Sequence, residues 1–514
     1  MPDRLSLRPQ HVTPRSLHAL TALLGLPTPD GADVQVTGVI HDSRQVRPGD
    51  LYAALPGANT HGAAFVAEAA AAGAVAVLTD PAGAGSTGSL AAVVVDNPRA
   101  LLGQLAAEVY GHPARDLLMF GITGTNGKTT TAYLMESGLR AAGRVTGLIG
   151  TVETRVGDEV FTSVRTTPEA TELHALLAVM RERGATACVM EVSSHALVLG
   201  RVDAIVFDVA GFTNLSEDHL DFHHDLDDYF AAKAALFTEQ RSRRGVVVVD
   251  DEYGRRLAAE AEIPVVTVST QQPADWRVVE LAAGESRSTA ADLEHRSGDR
   301  LRVSSPIPGD FNVANVVLAF VMLDEAGLDR FDSARGIETC PGVPGRMERV
   351  PSPADGPLAV VDYAHSPDAI ENVLRALRRT TPGRLVVVVG AGGDRDRHKR
   401  PKMGDVAGRL ADVVIVTDDN PRSEDPAAIR AAVVSGARAA ATAARTEVLE
   451  VADRRAAIRL AVDAARESAD TVVVVGKGHE KGQEAGGVMH PFDDRVVLRD
   501  ALEHTQGRRA KASQ

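Results

Sequence analysis

Met119-Phe-Gly-Ile-Thr-Gly-Thr-Asn-Gly-Lys-Thr-Thr-Thr131 reads as the end of an apolar strand, a glycine-rich turn and the start of a helix through Ala132, Leu134, Met135 and Leu139. Gly121, Gly124 and Gly127 permit a tight loop whose backbone N–H groups, including those of Thr125 and Asn126, turn inward on an anion. Lys128 brings a point charge to the outer phosphates, Thr129 a hydroxyl for Mg²⁺, and the helix that opens at Thr129 and Thr130 its positive end. The spacing departs from G-x-x-x-x-G-K-[ST], because Ile122 stands five positions before Gly127; the form here is G-x-x-G-T-N-G-K-T. Strand, loop, Lys-Thr and helix in this order predict a nucleoside triphosphate site.

Working outward, 514 residues predict about three domains. A hydrophobic fraction of 44% and a charged fraction of 24% are those of globular protein. The net charge of −14 argues against general nucleic-acid or membrane-surface binding. Cys188 and Cys340 lie far apart without metal-ligand spacing, which suits a reducing cytoplasm and no structural zinc. The first 26 residues lack an apolar core, so no signal peptide is expected, and no apolar run is long enough to span a bilayer.

Residues 1–114 mix short strands (36–40, 51–55, 75–78, 91–95) with Ala-rich helices. His41-Asp-Ser-Arg44 is either a solvated loop or, through Ser43 and Arg44, an anion site. Gly111-His-Pro reads as a hinge. Residues 115–343 alternate strand and helix, predicting a largely parallel sheet. Thr166-Thr167-Pro168 opens a helix, with Thr167 as a cap or as a ligand contact. Ala187-Cys-Val-Met-Glu191 is a strand ending in a carboxylate placed to bind Mg²⁺ or orient water. In Tyr229-Phe-Ala-Ala-Lys233-Ala-Ala-Leu-Phe237 the lysine sits within an apolar helical stripe. It must pair with a carboxylate, snorkel, or lose its proton, in which case CO₂ uptake would make an anionic carbamate ligand. The region 270–305 reads as polar and irregular, and Pro341 to Arg346 as a second hinge.

Residues 344–514 again alternate, and three strands end in polar loops at 390–396, 417–426 and 476–480. In an open parallel sheet such loops converge on a ligand. Arg395 and Arg422 suit carboxylates, and Glu480 an ammonium, so a compact zwitterion such as an amino acid is expected. The Gly390 turn lacks a full dinucleotide fingerprint. The basic run Arg395 to Lys402 reads as a solvated face or, less in keeping with the acidic balance, an RNA patch.

Together Gly121-Ile-Thr-Gly-Thr-Asn-Gly-Lys-Thr-Thr, Glu191-Val-Ser-Ser-His, Asn214-Leu-Ser-Glu-Asp-His219, Ala231-Ala-Lys233, Gly309-Asp-Phe-Asn312-Val-Ala-Asn, Pro344-Gly-Arg346-Met-Glu and Asp362-Tyr-Ala-His-Ser-Pro resemble the ATP-dependent Mur ligases of peptidoglycan precursor synthesis. Gly-Gly-Asp-Arg-Asp at 392–396, Asp419-Asn-Pro-Arg422 and Gly476-Lys-Gly-His-Glu480 resemble the members that add diaminopimelate rather than L-lysine. The resemblance runs from Ser43 to Glu480. It implies an α/β protein of three domains: a UDP-sugar domain (1–114), an ATP-binding domain (115–343) and a Rossmann-like amino-acid domain (344–514), monomeric and cytoplasmic.

It further implies that Ser43 meets UDP, while Thr166, Thr167, Ser193 and Arg201 hold a muramoyl-dipeptide. Gly124 to Thr130, Asn312, Arg346 and Asp362 would serve ATP. Thr129, Glu191, His219 and a carbamylated Lys233 would serve two Mg²⁺. Arg395, Asp419, Asn420, Pro421, Arg422, Gly476 and Glu480 would read meso-diaminopimelate. Leu199 departs from a polar contact found in some members. The implied reaction forms an acyl phosphate on the D-Glu γ-carboxylate, which the amine then attacks. Two rivals remain: folylpolyglutamate synthase, with related loop-and-lysine chemistry, and a P-loop binding protein without a synthetic reaction.

Overall fold

The computed structural model describes residues 7–29, 33–57, 59–281, 288–353, 355–441, 446–465 and 467–505, with helical backbone on to 512. The predicted phosphate-loop strand, Leu118–Thr123, lies inside an eleven-stranded sheet. Ala187–Glu191 and Val209–Phe212 pair parallel on its two sides. Both faces of this strand are covered, which is why it is almost wholly apolar. Phe120 and Ile122 point into one core with the helices Lys128–Ala141 and Phe311–Glu325, and Met119 points into another with Ala170–Glu182.

The parallel centre is flanked by antiparallel edges. Glu153–Val156 and Glu159–Thr162 form one. The other corrects the sequence reading of 270–305 as irregular: Trp276–Leu281, Thr289–His295 and Arg300–Ser305 are strands of a meander. Thr289, Ala291 and Leu293 are buried on alternate positions while charged neighbours face outward. That period of two was masked by polar composition. Residues 282–287 of the same reading lie outside the described residues.

Gly38–Ile40, Asp50–Ala54, Ala76–Thr79 and Ala91–Val94 make a separate four-stranded parallel sheet. Leu102, Leu105 and Ala106 of the helix Pro98–Val109 share a core with Ala170, Ala175 and Ala178, so this unit docks on the middle one. Residues 348–475 carry a six-stranded sheet in the order Glu348–Val350, Leu358–Asp362, Thr471–Val475, Leu385–Val389, Val413–Val416, Glu447–Glu450, parallel except at the first pair. The predicted polar loops leave its strands at one edge, as doubly wound sheets place ligand sites. Among the described residues no helix is long and apolar enough to cross a membrane.

Candidate functional site

The phosphate loop is held by two glycines at which any side chain would be strained. Gly124 (φ +136°) and Gly127 (φ +93°) are left-handed, and an added Cβ would fall 1.9 Å from Thr213 Oγ1 and 2.2 Å from Asn315 Oδ1 respectively. The helix Lys128–Ala141 opens at Gly127 without a side-chain cap, leaving its N-terminus suited to an anion. Lys128 Nζ donates to the carbonyls of Gly124 and Thr125, both at 2.9 Å. Burial lowers its pKa, partly offset by Glu191 and Asp218. Asn126 N donates to Asn214 Oδ1 (3.0 Å), and Thr130 is buried behind the loop.

At the adjoining strand end, buried Glu191 accepts from Thr129 Oγ1 (2.9 Å), Thr151 N (2.8 Å) and Thr151 Oγ1 (3.1 Å). Arg346 Nη2 reaches Thr129 Oγ1 at 3.3 Å from across the second hinge, and its guanidinium stacks 4.3 Å over Tyr363. Among the described residues no three His, Cys, Asp or Glu side chains gather as a metal cluster. A hydroxyl–carboxylate pair beside a phosphate loop nevertheless fits Mg²⁺, which takes few protein ligands and shares the rest with phosphates and water.

Lys233 lies on the helix Leu226–Ala234, only 1% exposed between Tyr229 and Phe230. Its Nζ donates to Gly124 O (2.8 Å) and sits 4.4 Å over the Tyr229 ring. No carboxylate pairs with it among the described residues, so neither pairing nor snorkelling accounts for it. Burial and then Lys128 push its pKa well below the usual value. His219 (φ +57°) stands beside Tyr229 with ring centroids 6.0 Å apart, and desolvation holds its imidazole down to about 3.

A cleft of about 850 Å³ opens between the first unit and the middle one, lined by Ser43, Arg44, Arg99, Arg165 and Pro168. Behind Pro168, Thr166 Oγ1 meets Thr151 Oγ1 at 3.0 Å. Thr167 is not the cap of the next helix. Glu169 caps Ala170–Glu182 in a reciprocal box with Glu172, while Thr167 Oγ1 donates to Glu191 O (2.9 Å) and accepts from Ser193 N (3.1 Å). Ser193 caps the short helix Ser194–Val198, and Arg201 pairs with Glu169 at 2.7 Å while donating to Thr167 O. Thr166, Thr167, Ser193 and Arg201 therefore form one bonded cluster linking the cleft to Glu191.

A second cavity, about 240 Å³, lies between the middle and third units, with Asp218 and His219 on one wall and Arg395, Asn420, Arg422 and Glu480 on the other. Asp419 and Gly476 also line it. Pro421 does not; its carbonyl backs Gly393. Arg422 (φ +53°) donates to Gly393 O (2.7 Å) and lies 3.5 Å from Glu484. Glu480, expected to await an ammonium, already accepts from Lys477 Nζ (3.0 Å) and Asn420 Nδ2 (2.9 Å).

The basic run is solvated only in part: Arg395, Arg397, His398 and Lys402 are exposed, while Lys399 and Arg400 are buried. Arg400 is buried against Glu424 (2.8 Å), Lys399 faces Asp218 (3.6 Å) and Lys402 grips Glu217 (2.7 Å) on the middle unit. Two expected ATP contacts are engaged in bracing. Asn312 donates to Pro308 O (2.7 Å), and buried Asp362 accepts from Met347 N (2.7 Å) and Ala364 N (2.8 Å), its pKa raised by burial. Sequence reasoning missed Lys477, Lys399 and Asp218; Asp218 and Lys477 adjoin the chosen His219 and Gly476, but what marks all three is burial, which sequence does not display.

Family models match three segments: Mur ligase family, catalytic domain, at 35–110; Mur ligase middle domain at 122–323; and Mur ligase, glutamate ligase domain, at 345–478. The chain is 58% identical over 504 residues to the UDP-N-acetylmuramoyl-L-alanyl-D-glutamate–2,6-diaminopimelate ligase of Streptomyces coelicolor, covering 97% of this chain and 99% of that one. Identity is 48% to the protein of the same name from Corynebacterium glutamicum, over 93% and 94% of the two chains. Among solved structures, a UDP-N-acetylmuramoyl-L-alanyl-D-glutamate–2,6-diaminopimelate ligase superposes with TM-score 0.67 at 31% identity, covering 96% of this chain and all of that one. Mycobacterium tuberculosis folylpolyglutamate synthase with ADP and AMPPCP shares the fold alone, with TM-score 0.60 and 19% identity over 79% and 95% of the chains.

Proposed function

The chain belongs to the Mur ligase family, and we propose that it is the ATP-dependent ligase that joins meso-diaminopimelate to the D-Glu γ-carboxylate of UDP-N-acetylmuramoyl-L-alanyl-D-glutamate. The carrying observation is one of placement. A phosphate loop stands between a cleft wide enough for a nucleotide sugar and a small cavity walled by two arginines and five carboxylates. The units are taken as 1–114, 115–343 and 344–514, acting as a monomer in the cytoplasm.

The muramoyl-dipeptide lies in the large cleft with its uridine diphosphate toward Ser43 and its free carboxylate toward Thr166, Thr167, Ser193 and Arg201. The loop from Gly124 to Thr130 holds ATP, with Arg346 reaching the same hydroxyl that Glu191 accepts. Asn312 and Asp362 act on ATP through the helix start and hinge they brace. Lys128 offsets repulsion between the attacking carboxylate and the triphosphate, so that the carboxylate takes the γ-phosphoryl group and releases ADP. Mg²⁺, which Thr129, Glu191, His219 and Lys233 as its carbamate would hold, supplies charge neutralisation on the phosphates. Arg395 and Arg422 align the amino acid by its carboxylates, with Asp419, Asn420, Gly476 and Glu480 around its ammonium and Pro421 setting the loop. Its free amine displaces phosphate from the acyl carbon to form the amide.

The deciding experiment measures phosphate release with the muramoyl-dipeptide while only the amine varies: meso-diaminopimelate, L-lysine or L-ornithine. Release dependent on diaminopimelate is expected; release indifferent to the amine, or a preference for a folate acceptor with glutamate, would overturn the assignment.

A further inference from the structure

We infer that Lys477 is a positioning and specificity-determining residue: its buried charge sets the Asn420–Glu480 platform and makes the amine cavity prefer a far end that is net neutral over one that is a bare cation. The inference rests on the proposed reading that this cavity takes diaminopimelate, and it deepens that reading.

Lys477 has no exposed surface. Its Nζ donates to Asn420 Oδ1 (2.8 Å) and Glu480 Oε2 (3.0 Å). Asn420 Oδ1 also accepts from Glu484 N (3.0 Å), and Asn420 Nδ2 donates to Glu480 Oε2 (2.9 Å). Two donors converging on one amide atom fix it as the oxygen, so the Asn420 amide has a single orientation. Among the described residues every hydrogen bond to the Glu480 carboxylate falls on Oε2, while the side chain lines the cavity. The ammonium therefore holds Glu480 in place and offsets its charge, leaving Oε1 for the ligand.

The far end of diaminopimelate carries an ammonium and a carboxylate, net zero. The far end of L-lysine carries an ammonium alone. A fixed buried cation behind the platform opposes the second and is indifferent to the net charge of the first. Arg422 adds to the same bias, because a ligand without the second carboxylate leaves its guanidinium without an incoming partner. With unit charges ~6 Å apart and an effective dielectric near 20, the bias exceeds tenfold.

The test compares kcat/KM for meso-diaminopimelate and for L-lysine, by phosphate release, in the wild type, Lys477→Gln and Lys477→Arg, with KM for ATP measured alongside. Lys477→Gln keeps N–H donors toward Asn420 and Glu480 while losing the charge. Its ratio of diaminopimelate to lysine use is expected to fall at least ~10-fold, with KM for ATP unchanged within ~3-fold. Lys477→Arg, which keeps the charge, is expected to hold the ratio. Asn420→Asp keeps the oxygen that Lys477 and Glu484 bond, adds one negative charge and removes the Nδ2 donor to Glu480, so it tests the charge bias in a chain that retains Lys477, whether or not Lys477→Gln folds: the ratio falls. An unchanged ratio in either charge-altering variant, or an equal fall in Lys477→Arg, would overturn the inference. Absence of diaminopimelate-dependent turnover in the wild type would instead overturn the reading beneath it.

Discussion

Replacing Lys233 by methionine is expected to abolish activity while leaving the fold as stable as before or more so. The stem is matched in length by an apolar side chain, so the packing between Tyr229 and Phe230 survives. What is lost is one hydrogen bond to Gly124 O and a contact over the Tyr229 ring, together ~1–3 kcal/mol. The carbonyl is not orphaned, because Lys128 Nζ also donates to it. What is gained is relief from burying an ammonium without a carboxylate partner, a cost of several kcal/mol in real interiors. The balance lies between zero and ~2 kcal/mol in favour of the variant.

The sign with pH follows from the depressed pKa of Lys233. Between the folded-state value and the ordinary 10.5, the unfolded chain binds a proton that the folded chain has released. Wild-type stability therefore rises with pH through that window. Methionine has no such rise, so its advantage at pH 7 shrinks toward pH 10; the repulsion between Lys128 and Lys233 is part of that difference, because methionine removes it. Denaturant melts in CO₂-depleted buffer read the stability difference, and phosphate release reads kcat, expected to drop at least ~100-fold. Lys233→Met that is destabilised by more than ~2 kcal/mol at every pH, or that retains turnover, would refute the reasoning.

Gly127→Ala places a Cβ at φ +93° against Asn315 Oδ1, so a stability loss of ~1–3 kcal/mol and weakened nucleotide binding are expected, read by melts and by titration with a fluorescent ATP analogue. Glu217→Lys turns the exposed Lys402 contact between middle and third units into a repulsion. Because such a pair is worth at most ~1 kcal/mol, docking of the third unit on the middle one should weaken only several-fold, with Lys402→Glu in the same chain restoring it; solution scattering with all ligands present measures the effect.

The sequence made the phosphate loop legible because its glycines, lysine and threonine act locally, within one strand–turn–helix. Lys233 was legible as a misfit on an apolar stripe, and the structure removes the pairing and snorkelling explanations by surrounding it with Tyr229, Phe230 and a carbonyl. Of the two readings of Thr167 the cap falls, because capping preference is a local rule, whereas its hydroxyl is claimed by Glu191 and Ser193 from another strand end. The meander at 276–305 was missed because few of its residues are buried and Arg, Asp and Glu are interleaved among them. Lys477 could not be chosen from spacing: what distinguishes it is complete burial against Asn420 and Glu480, a consequence of two loops from different strands meeting.

The cavity between the middle and third units has a property that neither unit has alone. Asp218 and His219 come from the middle unit, Arg395, Asn420, Arg422 and Glu480 from the third, and Lys399 and Lys402 tie the walls together through Asp218 and Glu217. Undocked, the third unit would present its arginines to water and the phosphate loop would face solvent. An acyl phosphate formed in that state would meet water before it met an amine. On the proposed reading docking does two jobs: it completes the cavity that orients the nucleophile and it excludes the competing one. Of the two pairs that tie the walls, Lys402–Glu217 is exposed and worth little, whereas Lys399–Asp218 is largely buried and screened less by solvent.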